Sequence, residues 1–191
     1  MPASNGSKNV PEGEFIKLLQ RKGLAFGAHT NAYTSTEETV YTLELPKNDA
    51  DLVDTGLMLF REIGDRLTLD PAAIDREKGV VLSELRGRNT PEYRAFEQRW
   101  KLSYDGQRQA QRLPIGKAET ISGATRALLL DYYTRFYRPE RTLLVATGDF
   151  DPAEVEAKIK SKFSDWTAQG ADPADPLQGA IKERGLIAAS R

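Results

Sequence analysis

The chain has 191 residues, of which 39% are apolar, and its 27 basic side chains nearly balance its 28 acidic ones, for a net charge of −1. This length suits one domain with a short tail. The interspersed charges argue against a nucleic-acid partner. No apolar run is long enough to span a bilayer, the polar first ten residues show no signal peptide, and the absence of cysteine excludes disulfides and thiolate metal sites.

A helix and a hairpin are the first predicted elements. Residues 11–22 should form the helix, since Phe15, Leu18 and Leu19 make an apolar stripe and Gly23 follows it. Residues 24–34 and 38–45 should form two strands joined by a short polar link, because apolar and polar side chains alternate in the second segment.

Three amphipathic helices are predicted next. In residues 49–67 one face carries Leu52, Gly56, Leu59, Phe60, Ile63 and Leu67. Asp70 and Pro71 are typical of a helix start, and the helix that they begin should end near residues 87–90, before Pro91. Residues 92–104 are helical again, with Phe96 and Trp100 four positions apart.

The last part of the chain is predicted to hold a helix, a strand and a helix. After an irregular connection at 105–114, the helix in 120–137 should turn five side chains inward, namely Leu128, Leu129, Tyr132, Tyr133 and Phe136. Residues 142–148 are continuously apolar, as in a central strand. The final helix begins at Asp151 and Pro152 and should bury Val155, Ile159, Phe163 and Trp166.

This order of elements indicates the α+β class, with an antiparallel or mixed sheet covered on one face by helices. Three strands are few for five or six helices, so further strands are expected outside the chain, most simply before Met1. Beyond Trp166 the chain is rich in proline, glycine and aspartate, which is typical of a linker. Residues 1–166 are therefore assigned to one lobe and residues 167–191 to a linker toward a following domain.

Two glutamates, Glu77 and Glu84, lie seven positions apart in the third helix, so both carboxylates should leave the same face. The simplest interpretation is a solvated face, in which Glu84 pairs with Arg88 one turn later. The alternative is one side of a metal site at the edge of a stripe of buried residues, Val80, Val81 and Leu85. Zinc would need more ligands, and His29, the sole histidine, cannot complete a site by itself.

Five segments together resemble the pitrilysin/insulinase family of zinc metallopeptidases, the inverzincins, and in particular its bacterial zinc proteases. They are Gly27-Ala-His-Thr-Asn-Ala-Tyr-Thr-Ser-Thr-Glu-Glu-Thr-Val-Tyr, Asp75-Arg-Glu-Lys-Gly-Val-Val-Leu-Ser-Glu, Pro114-Ile-Gly, Asp131-Tyr-Tyr-Thr-Arg-Phe-Tyr-Arg-Pro and Gly148-Asp-Phe-Asp-Pro. Each is weak by itself, but their order and spacing over residues 5–166 make the resemblance specific.

The resemblance implies peptide hydrolysis by a zinc-activated water. It makes Glu84 a zinc ligand and Glu77 a supporting residue behind the ligands, for which we hypothesise a role in orienting the histidine helix. It also makes Asn31 and Ala32 the part of an edge strand that holds an extended peptide by strand addition. His29 matches no catalytic position.

The chain lacks the His-x-x-Glu-His helix that such a family member carries immediately before the segment matching Asn5-Gly-Ser. One explanation is that the chain is a piece of an active peptidase. The other is a homologous subunit that has naturally lost its zinc residues and pairs with an active one. The presence of both Glu77 and Glu84 favours the first explanation. An unrelated α+β binding module is a third possibility.

We therefore expect a fragment of a zinc metalloendopeptidase lobe that binds zinc weakly and is inactive by itself, with Glu84 solvated or paired with an arginine such as Arg88. The parent protein is expected to act on a peptide or protein and to need a second homologous half or subunit. Similar bacterial proteins are often periplasmic, which favours that compartment over the cytoplasm.

Overall fold

The computed structural model describes residues 5–25, 27, 29–175, 177 and 179–180. In this part of the chain seven α-helices accompany one two-stranded hairpin, which confirms the α+β class. The elements are α1 (Glu14–Arg21), β1 (Thr30–Thr34), β2 (Thr39–Leu43), α2 (Ala50–Asp65), α3 (Pro71–Arg88), α4 (Pro91–Ser103), α5 (Ala118–Ser122), α6 (Arg126–Phe136) and α7 (Pro152–Phe163). None of the described helices is long and apolar enough to cross a membrane.

The chain divides into two compact units. The first contains residues 1–33, 39–77 and 124–173, and the second contains residues 34–38, 78–123 and 174–191. The boundary falls inside α3, between Glu77 and Lys78, and within the hairpin, whose turn belongs to the second unit.

Most of the long helices have a short polar residue at the N-cap, whose side chain accepts a hydrogen bond from an amide of the first turn. Asp49 accepts from Leu52 N at 2.9 Å, and Thr90 accepts from Tyr93 N at 3.2 Å. Such caps satisfy amides that have no partner within the helix. Proline at the first position of α3, α4 and α7 costs nothing there, because its missing N–H would have no intrahelical acceptor. Asp70 and Asp151 also accept a hydrogen bond from a first-turn amide, which confirms the helix starts predicted at these residues.

The hydrophobic core of the first unit surrounds α2. Its buried members come from the N-terminal segment, α1, the residues just after α1, and α2, namely Val10, Phe15, Leu19, Leu24, Leu52, Leu59 and Ile63. Tyr41, Leu43 and Leu45 pack against this cluster from β2 and the residues after it. The sheet therefore covers one side of α2, and the predicted apolar face of this helix is confirmed.

A buried carboxylate on α2 holds the N-terminal segment. Glu62 is 1% exposed, and its two oxygens accept hydrogen bonds from Ser7 Oγ at 2.6 Å, Asn9 Nδ2 at 2.7 Å and Asn9 N at 3.0 Å. Arg66 adds an ion pair at 3.0 Å. Burial by itself raises the pKa of Glu62, but the bonds from Ser7, Asn9 and Arg66 outweigh it and lower the pKa below the usual glutamate range.

The neighbouring Arg61 binds α2 to the C-terminal end of α7. Its guanidinium is 4% exposed, donates to Asp65 at 2.9 Å and to the carbonyl of Lys162 at 2.8 Å, and pairs with Asp165. The same guanidinium lies 5.7 Å from the ring centroid of Trp166. Each nitrogen of this buried cation donates to an oxygen, so its burial is compensated.

Two arginines also hold the residues after α7. Arg138 is buried and donates to the carbonyls of Gln169 and Gly170 at 2.7 and 3.0 Å. Arg141 donates to Asp172 at 2.7 Å and to the carbonyl of Pro173 at 2.6 Å. Residues 169–173 are thus fixed to the first unit, although their composition is typical of a linker. Residues 181–191 of that predicted linker lie outside the described residues.

Three details of the sequence interpretation are wrong. The first strand begins at Thr30 rather than at residue 24. Residues 142–148 belong to no strand in the described part of the chain, and Leu143 is 86% exposed there, because the described residues supply no neighbour for it to pair with. In α6 only Tyr133 is fully buried, whereas Leu128 and Tyr132, predicted to face inward, are 61% and 54% exposed.

Gly64 provides the first testable prediction, because a Cβ at this position would lie 3.0 Å from the ring of Trp166. We expect Gly64→Ala to destabilise the protein by about 1 to 3 kcal/mol through overpacking. Gly79→Ala is the matched control, since Gly79 is also helical and has nothing within 4 Å. It should stabilise the protein by up to about 1 kcal/mol. Urea unfolding measures both, and equal effects would contradict the packing explanation.

Glu62 provides the second prediction. Because its pKa is lowered in the folded state, its contribution to stability is present above the unfolded pKa of about 4.3 and is lost as the pH falls through the lower folded value. Glu62→Gln should cost about 2 to 3 kcal/mol at neutral pH, since it removes a buried charged acceptor.

Unfolding free energies measured from pH 7 down to pH 3 test this directly. The difference between wild type and Glu62→Gln should shrink toward the acidic end. Glu44→Gln changes an exposed glutamate at the end of the hairpin and should have little effect at any pH. A constant difference across the pH range would show that the charge of Glu62 is not what stabilises the segment.

Candidate functional site

Helix α3 carries the two glutamates, and most of its surface is exposed to solvent. It begins at Asp70, whose carboxylate accepts from Ala73 N at 3.0 Å, and continues unbroken to Arg88. Only Ala73 and Ile74, in its first turn, are buried. Glu77 and Glu84 are both exposed, and none of the three residues expected to form a buried stripe beside them is fully buried: Val80 is 60% exposed, and Val81 and Leu85 are half-buried.

Glu84 is paired with an arginine, as expected from the sequence. Arg88 Nε and Nη2 both donate to Glu84 Oε1, at 3.1 and 2.5 Å, across one helical turn. Both side chains are about half exposed, so the pair is screened by water and contributes little to stability. Glu84 Oε2 has no hydrogen-bond partner among the described residues, and the carboxylate is therefore accessible to another cation.

Glu77 belongs to the first unit, whereas Glu84 belongs to the second. Seven residues correspond to about 10.5 Å along a helix, so the two carboxylates share a face without touching. Glu77 makes no ion pair within the described residues. Its neighbour Arg76 pairs with Glu12, which links the start of α3 to the N-terminal segment.

The residues present do not by themselves fit a zinc site. A protein zinc site needs three or four ligands, and the described residues contain no group of three or more histidine, cysteine, aspartate or glutamate side chains that could hold a metal ion. His29 takes part in a local turn instead, where its Nδ1 accepts from Ala25 N at 2.9 Å. Among the described residues, the predicted ligand Glu84 is therefore not accompanied by the further ligands that zinc needs.

The predicted peptide-binding residues lie on strand β1. Asn31 is exposed and Ala32 is half-buried, so the strand is accessible along this stretch. The Ala32 amide donates to Asn31 Oδ1 at 2.8 Å, and the Asn31 carbonyl accepts from Thr42 Oγ1 at 3.3 Å. The Ala32 amide, the group of this pair that an incoming strand would use, is therefore bonded to a neighbouring side chain, whereas the Asn31 carbonyl faces β2.

Two tyrosine hydroxyls meet behind the hairpin. The hydroxyl oxygens of Tyr41 and Tyr137 are 2.7 Å apart. Burial is the main cause that raises the pKa of Tyr41 far above its ordinary value, and the contact with Tyr137 is the second. Burial also raises the pKa of Tyr133, whose hydroxyl donates to the carbonyl of Ile63 at 2.6 Å. Through these contacts Tyr133 anchors α6 to α2, and Tyr137, the residue after α6, is anchored to β2.

The sequence interpretation missed the buried network of Glu62. The signal was present, because Arg61 and Glu62 are adjacent charges inside a strongly apolar helix, where a charged residue is normally kept only with a partner. The partners Ser7 and Asn9 are 55 and 53 positions away, so spacing could not identify them.

Comparison with known proteins gives a consistent result. Residues 3–113 match the family model described as insulinase (peptidase family M16), and residues 123–187 match the peptidase M16 inactive domain. The chain is 32% identical over 167 residues to a probable zinc protease, PqqL of Escherichia coli (strain K12). That alignment covers 87% of this chain but only 18% of PqqL, so the chain spans less than a fifth of this relative.

Solved structures show the same relationship. The first half of the periplasmic protease PqqL from Escherichia coli superposes with a TM-score of 0.87 at 31% identity, covering 96% of this chain and 39% of that one. A mutant of the ferredoxin protease FusC, in complex with Arabidopsis ferredoxin, superposes with a TM-score of 0.83 at 26% identity, covering 94% and 20%. The fold is that of a metallopeptidase lobe. The chain belongs to the insulinase family, peptidase family M16.

Proposed function

We propose that this chain is part of a zinc-dependent metalloendopeptidase that hydrolyses peptide bonds, and that Glu84 contributes one carboxylate ligand to the metal. The observation that carries the proposal is the exposed pair of carboxylates on α3, inside the segment that matches the family. Its relatives are named zinc proteases. Zinc would supply the Lewis acid of such a reaction, and the remaining ligands would come from outside the described residues.

Within this proposal Glu77 supports the site without binding the metal. It is exposed on the same helix face, about two turns before Glu84, where a carboxylate can orient a ligand by accepting its outer N–H. Asn31 and Ala32 would receive the substrate as an added strand. Strand addition uses the peptide backbone and so gives affinity with little sequence preference.

The proposal extends to the surroundings of the lobe. We propose that residues 1–166 form part of a peptidase lobe, that residues 167–191 lead toward a following domain, and that further strands from elsewhere in the parent protein complete the sheet. FusC was solved with a protein, ferredoxin, and PqqL is described in halves and as periplasmic. By analogy we propose a protein or peptide substrate, a second homologous half or subunit, and a periplasmic location.

A second candidate is a non-catalytic homologous subunit that binds peptide or pairs with an active one. It is favoured by the lack of a three-residue metal group among the described residues and by the match of residues 123–187 to the inactive domain. A subunit of this kind would keep the strand edge of β1 but would have no use for Glu84.

Zinc binding by the intact parent protein distinguishes the two candidates. Glu84→Gln should reduce zinc affinity by more than about 100-fold, because it removes a ligand, and Glu77→Gln should reduce it by about 10- to 100-fold through loss of orientation. Peptide hydrolysis should fall with the metal content. Glu154→Gln, at an exposed site on α7, is the control and should leave zinc affinity unchanged.

The isolated 191-residue chain should bind zinc weakly by titration calorimetry and should not cleave peptides. Turnover by this chain would contradict the assignment of a single ligand. Full zinc affinity in the parent Glu84→Gln variant would remove Glu84 from the ligands and favour the subunit.

The edge of β1 can be tested through its backbone donor. Ala32→Pro removes the amide that strand addition requires, and proline is tolerated on an edge strand. In the parent we expect KM for peptides to rise by about twofold to tenfold, the value of one neutral hydrogen bond. Ala32→Gly keeps the amide and serves as the matched control. An unchanged KM for Ala32→Pro would place the peptide elsewhere.

A further inference from the structure

The register of the hairpin determines which backbone groups of β1 face away from β2. Glu44 N donates to the carbonyl of His29, and Ser35 N donates to the carbonyl of Glu38, both at 2.8 Å. Bonded pairs in an antiparallel ladder recur at every second residue, so these two bonds fix the positions between them. The backbone groups at 29, 31, 33 and 35 therefore point toward β2, and those at 30, 32 and 34 point toward the open edge.

Ala32 is the central position on this open edge, because Thr30 is buried and Thr34 is the last residue of the strand. Its amide is not vacant. It donates at 2.8 Å to Oδ1 of Asn31, whose side chain is exposed. An amide carries one hydrogen and gives one full hydrogen bond. The Asn31 side chain and the carbonyl of an added strand therefore compete for the same donor.

We propose that Asn31 is an internal competitor of the substrate, whose side chain closes the β1 edge in the free protein and releases the Ala32 amide when an extended peptide adds as a strand. This inference rests on the proposed function, in which β1 receives the peptide. The bond joins sequence neighbours at the surface, so it opens by rotation of one side chain without a change in the hairpin. The same bond also shields an edge amide that could otherwise pair with another chain.

Replacement of Asn31 separates competition from direct contact with the peptide, because the two roles predict opposite changes in KM. In the parent protein with an uncharged peptide substrate, Asn31→Ala removes the competitor and should lower KM by about twofold to fivefold, within the value of one neutral hydrogen bond. Asn31→Asp keeps the shape of the side chain but supplies a charged acceptor, which binds an amide more strongly, so KM should rise by about twofold to tenfold. The value of kcat should stay the same in both variants.

The bond itself can be observed in the 191-residue chain, without any peptidase activity. Hydrogen exchange of the Ala32 amide, measured by NMR and corrected for the intrinsic rate of each sequence, should become about twofold to tenfold faster in Asn31→Ala. The Tyr33 amide points toward β2, and its unchanged exchange shows that the hairpin is intact. Glu37→Ala, at an exposed position in the turn of the same hairpin, is the control and should change neither the exchange of Ala32 nor KM.

Two outcomes would overturn the proposal. One is a KM that rises or stays constant in Asn31→Ala while Ala32→Pro raises it, since the side chain would then hold the peptide or play no part in its binding. The other is unchanged exchange of the Ala32 amide in Asn31→Ala, which would show that the bond does not form in the free protein.

Failure of the proposed function gives a different result. If Ala32→Pro leaves KM unchanged, the peptide binds elsewhere, and the competition at β1 is excluded together with that site. The exchange experiment would still report whether Asn31 closes the edge, because it needs neither substrate nor zinc.

Discussion

The adjacent charged residues Arg61 and Glu62 on α2 hold the first unit together, because they bind segments that are far apart in the sequence. Glu62 binds the N-terminal segment through Ser7 and Asn9, and Arg61 binds the end of α7 through Lys162 and Asp165. Both side chains are almost fully buried, so each depends on its partners to offset the loss of water. Because α2 also carries the apolar face of the core, one helix fixes the hairpin, the N-terminal segment and α7 relative to each other.

The candidate site contrasts with this buried framework. Glu84 lies on an exposed helix surface and forms an ion pair with a single arginine, Arg88. Water screens the attraction between the two charges. Arg88 holds the carboxylate in place at little energetic cost, and the proposed metal ion would replace this exposed pair without a change in the helix. The Ala32 amide and the Asn31 side chain show the same arrangement on β1, where an internal bond occupies the group that a peptide would use.

Sequence reasoning predicted the helices well, because caps and apolar periodicity are local signals. Asp70 and Asp151, the two helix starts predicted from the sequence, accept hydrogen bonds from the first turns of α3 and α7. It failed where the outcome depends on a distant neighbour. Residues 142–148 have the composition of a central strand, yet a strand exists only where another pairs with it. The pairing of Glu84 with Arg88 was predictable from a spacing of four, whereas the bonds of Glu62 to Ser7 and Asn9 were not.

The contacts of Arg61 also determine the order in which the first unit can form. Its partners Lys162 and Asp165 are 101 and 104 positions further along the chain, and Ser7 is 55 positions before Glu62. Non-local contacts of this kind are formed late and slow the folding of a domain. During synthesis α2 can pack against the N-terminal segment early, but the burial of Arg61 is completed only after the residues around Trp166 have left the ribosome. Until then Asp65, one turn further along α2, is the counter-charge available to Arg61, and the side of α2 where α7 docks remains open.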